Sequence, residues 1–178
     1  MPSQSRAISR LRSLGTATAD GLSIASFGGP AGVIVSKQFR DALAADEYAP
    51  ERIRFYFRKA EGADESIPIE HRVGVAVFTQ RTLEDMRKFV FPQTRVTLVV
   101  KGGKTTKGEA EVAQRMGVQI VPVATTGGAA RELWNSMQPA DLGLDAADEL
   151  LWWSQLNADQ PELAAHAATM LIRRLMFE

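Results

Sequence analysis

Apolar residues recur along the chain with two alternating periods. Residues 6–14 predict a short helix, with Ala7, Leu11 and Leu14 on one face and arginines elsewhere. Residues 22–27 predict a strand that runs into the turn Gly28-Gly29-Pro30-Ala31-Gly32. A helix follows over 33–44, with Val35, Phe39 and Leu43 at spacing four. Residues 52–58 alternate strictly, with Ile53, Phe55 and Phe57 against Arg52, Arg54 and Arg58. That pattern predicts a half-buried strand near a sheet edge. After a polar loop over 59–70 come a strand over 73–78 and a helix over 83–89. A buried strand follows over 96–100, then a helix over 108–116 that stops at Gly117, the residue type that best ends a helix. Residues 118–124 read as a strand whose Pro122 points to an edge or a bulge. A helix over 127–137 turns Ala130, Leu133, Trp134 and Met137 inward.

Strands alternating with helices imply a mostly parallel sheet in a Rossmann-like three-layer α/β/α domain. Residues 1–139 form that domain in this reading, and 140–178 form a helical cap packed on it. In the cap, Asp145 opens a helix with Leu150, Leu151 and Trp153. A last helix places Leu163, Ala167, Met170, Leu171 and Leu175 on one stripe, and Ile172 widens it toward a partner.

Composition narrows the function. Lys+Arg and Asp+Glu are both 21 in 178 residues, so no basic surplus exists to neutralise nucleic acid or anionic lipid. There is no cysteine, which removes disulfides and thiolate chemistry and fits a cytoplasmic setting. The start has no apolar signal core, and no stretch approaches the roughly 20 apolar residues of a membrane helix. His71 and His166 have no ligand-spaced neighbours, so no metal is expected.

Three glycine-rich turns each follow a strand and precede a helix: residues 28–32, Gly102-Gly103-Lys104-Thr105-Thr106, and Thr125-Thr126-Gly127-Gly128. In a parallel sheet such turns share the carboxyl edge, where helix N-termini offer free N–H groups and glycine permits close approach. None is a Walker A or GxGxxG motif. A phosphate-bearing nucleotide is the expected ligand, and tight turns alone are the plainer reading.

The run Gly102-Gly103-Lys104-Thr105-Thr106-Lys107-Gly108-Glu109 resembles the GGxGTxxE motif of the SLOG superfamily. That superfamily joins DNA-processing Smf (DprA) proteins, cytokinin-activating LOG phosphoribohydrolases and nucleotide sensors of bacterial defence systems. Thr106 and Glu109 are in register, and Arg87-Lys88 lies upstream where LOG enzymes carry an Arg-Lys pair. Thr105 replaces the motif's next glycine, and Lys101 replaces a proline. Residues 121–134 are similar to the sensor branch, as in Thoeris effectors. The superfamily's opening strand and turn have no counterpart ahead of Arg6.

The resemblance implies a nucleotide site built from Gly28, Gly29, Gly32, Arg87, Gly102, Gly103, Lys104, Thr105, Thr106, Glu109, Thr126, Gly127 and Gly128. Gly102, Gly103 and Thr106 would meet phosphate, although Thr106 also suits a helix N-cap. Lys104 would add a point charge. Glu109 would accept ribose hydroxyls or act on water, or simply favour the helix dipole. Arg87 would pair with phosphate, or stand as a solvated helix charge.

Two functions follow. One is a sensor of an ADP-ribose-like or NAD-derived nucleotide, homo-oligomeric and acting on an effector partner, with no further cofactor. The other is a phosphoribohydrolase, with Arg87 and Glu109 as its catalytic pair. A scaffold without ligand comes third.

Overall fold

The computed structural model describes residues 23–27, 30–42, 50–58 and 73–177. The expected helix over 6–14, the loop over 59–70, and Gly28, Gly29, Leu43 and His71 lie outside them. The described residues fall into two compact units, one up to Val90 and one from Phe91 onward.

The first unit holds β1 (Ile24–Ser26), α1 (Pro30–Ala42), β2 (Ile53–Arg58), β3 (Val75–Thr79) and α2 (Leu83–Val90). Its three strands run parallel in the order β1-β2-β3. Ile24 pairs with Ile53, and Arg54 through Arg58 pair with Val75 through Thr79. β2 is therefore the central strand, not one near an edge. Ile53 and Phe55 are buried on one face as expected, but Tyr56 is buried on the other. There it packs with Met86 and Val90 of α2 and with Phe27, Val77 and Leu83. An eight-residue helix is about 12 Å long. That covers the middle of the strand while Arg54 and Arg58 stay exposed. Thr82 starts α2 by accepting the Asp85 N–H at 3.1 Å and donating its hydroxyl to that carboxylate at 2.6 Å. α1 buries Val33, Ser36 and Phe39, whereas Val35 is half-buried. Its inward face is thus turned from the expected phase, set by close packing on β1 rather than by the spacing of large apolar residues.

The second unit holds β4 (Val96–Val100), α3 (Lys104–Arg115), β5 (Gln119–Val123), α4 (Gly128–Ser136), α5 (Ala147–Gln155) and α6 (Pro161–Phe177). β4 and β5 pair in parallel without a bulge, from Val96 with Gln119 to Val100 with Val123. Among the described residues β5 pairs with β4 alone, so Pro122 sits at an edge. β5 is buried from Ile120 to Val123, because α3, α4 and α6 all pack against it. β4 is less covered than expected: only Val99 is fully buried. α3 starts at Lys104, four residues before the expected helix start, and Gly117 follows its end at φ 79°.

The tail beyond residue 139 packs on this second unit. α6 packs on α5, β5 and β4, and its Ala164, Ala165, Ala167, Ala168, Leu171 and Ile172 are all buried. Small side chains permit that close approach. Ile172 therefore belongs to the unit's own core and does not face a partner, while Leu163 is exposed. Asp145 does not cap α5. Glu149 instead reaches back to the N–H groups of Asp145 and Ala146 at 2.9 and 3.2 Å, and takes Arg174 Nε at 2.5 Å. Trp134 stacks on Trp153 with centroids 6.3 Å apart and donates Nε1–H to the Trp153 carbonyl. Arg95 closes the end of α6 by donating to the Met176 carbonyl at 2.6 Å.

Parallel strands joined through helices, with the C-terminal helix α6 packed on the second pair, make this an α/β fold of Rossmann-like type. Among the described residues no helix is long and apolar enough to cross a membrane.

Candidate functional site

The carboxyl ends of β4 and β5 meet in register at Val100 and Val123. Two of the three glycine-rich turns leave from this edge, and they bind each other. After β4, Lys101 and Gly102 take successive positive φ values of 55° and 81°. A non-glycine residue there costs about 1 kcal/mol, so the surroundings must hold it. The Lys101 N–H donates to Thr126 Oγ1 at 2.7 Å, and that hydroxyl donates to the Val123 carbonyl at 2.6 Å. One side chain thus ties both strand ends together.

The turned carbonyls then reach α4. Lys101 C=O accepts from Ala130 N–H at 3.0 Å, and Gly102 C=O accepts from Ala129 N–H at 3.1 Å. Two of the donors that open α4 are therefore satisfied by backbone oxygen. Gly128, at φ 59°, has no room for a Cβ because the Gly102 carbonyl oxygen stands there. Glycine allows close approach at this position, as the sequence suggests, but the approaching oxygen is the protein's own. Gly127, at φ 77°, supplies the turn, with its N–H on the Ala124 carbonyl at 2.9 Å. Arg131 Nε on the same carbonyl, and Thr125 N–H on the Leu156 carbonyl, brace the turn further.

α3 begins differently. Its N-cap is Gly103, extended at φ −127°, and no side chain among the described residues caps the helix. The first intrahelical bond runs from Lys107 N–H to the Gly103 carbonyl at 3.0 Å. The N–H groups of Lys104, Thr105 and Thr106 precede it and have no partner among the described residues. Gly103, Lys104 and Thr105 are exposed, and a Cβ on Gly103 would meet nothing within 4 Å. Thr106 is not the N-cap, because the helix has already begun at Lys104. Its side chain packs on Gly102, where a Cβ would lie 2.5 Å from Thr106 Cβ and Oγ1. Glu109 falls in the second turn of α3 rather than the first, and is half-buried. That distance from the helix start weakens any simple dipole role.

Lys107 pairs with Glu132 of α4 at 2.9 Å, which raises the lysine pKa through the hydrogen bond and the carboxylate charge. Arg87 belongs to the first unit, half-buried on α2, and its neighbour Lys88 is tied to Glu84 at 2.7 Å. Gly32 is also in the first unit. Its backbone packs so closely on the Ser26 side chain that a Cβ would overlap Ser26 Oγ, a helix–strand packing role. Among the described residues no group of three or more His, Cys, Asp or Glu side chains could hold a metal ion.

The sequence reading missed Lys101, Ala129, Ala130 and Leu156, all of which contribute through backbone groups. Such contacts leave no residue-type signal. The doubled glycine at 127–128 marks the close approach without naming what approaches. No protein-family model matches the chain, and no curated protein or solved structure matches it.

Proposed function

We propose that the protein is a SLOG-type sensor that binds an ADP-ribose-like or NAD-derived nucleotide, with a phosphate at the start of α3. The observation that carries this reading is the uncapped run of N–H groups at Lys104, Thr105 and Thr106 behind an unobstructed Gly103. Consecutive free donors and the positive end of a helix dipole suit a phosphate oxygen. Lys104 is exposed beside them and adds a full positive charge. The SLOG-like motif falls on the same residues, and Glu109, further along α3, would accept ribose hydroxyls. Residues 126–128 serve this reading as support: they hold the Lys101–Gly102 turn, whose carbonyls occupy two N–H groups of α4. Binding at this turn would alter self-association or engage an effector.

The test is a thermal-shift series with ADP-ribose, its cyclic forms, NAD, AMP and cyclic dinucleotides, followed by analysis of each mixture. A higher Tm with the ligand recovered intact is the expected result, since a ligand bound only by the folded state stabilises it. Recovery of free base and ribose phosphate would mean a phosphoribohydrolase. No shift with any of them would leave a scaffold.

Lys104→Glu separates binding from folding. An acidic residue in a first helical turn favours the helix by about 0.3–1 kcal/mol, so Tm without ligand should hold or rise. Binding of a phosphate-bearing ligand should weaken at least tenfold, about 1.4 kcal/mol. An unchanged Kd would remove α3 as the phosphate site.

A further inference from the structure

We draw no further inference here: the strongest candidate, the outward strip of α6 that carries the exposed Leu163 and Phe177, together with the exposed Leu150 and Leu151 of α5, carries nothing because nothing in the structure shows what covers it.

Discussion

Thr126 shows how much one hydroxyl can organise. It accepts from Lys101 and donates to Val123, so a single oxygen satisfies a donor and an acceptor at the ends of two strands. Valine has nearly the same shape but neither capacity. Thr126→Val should therefore leave the Lys101 N–H and the Val123 carbonyl short of partners, at a cost of about 1–3 kcal/mol. In a unit of this size that lowers Tm by about 4–8 °C per kcal/mol. Thr126→Ser keeps the hydroxyl and should stay close to the parent. If valine and serine melt alike, the bridge contributes nothing in solution. Lys101 stands at positive φ for the same reason: its N–H and its carbonyl are both held, by Thr126 and by Ala130.

At the scale of elements, α3 and the α5–α6 pair make opposite cases. α3 contains Gly108 in its interior, where a Cβ would meet nothing within 4 Å. Glycine there is a local weakness, because the unfolded chain has more freedom to lose. Gly108→Ala should raise stability by about 0.5–1 kcal/mol in denaturant titrations. A loss of stability instead would mean that the first turns of α3 are not helical in solution. The α5–α6 pair is held by Glu149, which is buried and receives Arg174 and two backbone N–H groups. The Arg174 hydrogen bond, then the Asp145 and Ala146 N–H groups, draw its carboxyl below the ordinary value of 4.5. A group whose folded pKa is depressed contributes stability above its unfolded pKa and loses it as pH falls through the folded value. The contribution should therefore be complete above about pH 4.5 and fade below it. In Glu149→Gln it should already be absent at neutral pH. Tryptophan emission followed from pH 7 to 2 tests this: the variant should have a weaker acid dependence than the parent. Identical acid curves would remove Glu149 from the acid response. The exposed Lys107–Glu132 pair is a lesser contributor, as solvated ion pairs are.

At the scale of the molecule, the two compact units carry different reporters. All three tryptophans, at 134, 152 and 153, lie in the unit from Phe91 onward. Tyr56 lies in the core of the other. Two compact units need not lose structure together. Denaturation followed by tryptophan fluorescence should report residues 91–177, whereas far-UV circular dichroism reports helices of both units. The expected outcome is two curves that do not superimpose, with amide exchange separating residues 23–90 from 91–177. Coincident curves and one common exchange limit would show that the chain unfolds as one cooperative body.

The order and kind of the elements were legible in the amino-acid pattern, because periods of two and of 3.6 are local properties of a strand and a helix. The strands at 24–26, 53–58, 96–100 and 119–123 fall within stretches whose apolar residues predict them, and the strand at 75–79 runs one residue past the predicted end at Phe78. Gly117 marked the end of α3 for a similarly local reason, its left-handed φ. The turns at 102–106 and 125–128 were visible as candidates because glycine is a backbone requirement written into the side-chain sequence. The inward phase of α1, the central place of β2 and the burial of Ile172 were not visible, since each depends on which element lies alongside. The same holds for the site. Whether the N–H groups of a helix meet a phosphate, a side chain or another turn's carbonyl is decided by distant backbone. In α4 the carbonyls of Lys101 and Gly102 take Ala130 and Ala129, and in α3 no cap among the described residues takes the corresponding groups. Every residue has the same backbone carbonyl and, proline aside, the same N–H, so only the tertiary structure could distinguish the closed helix start from the open one.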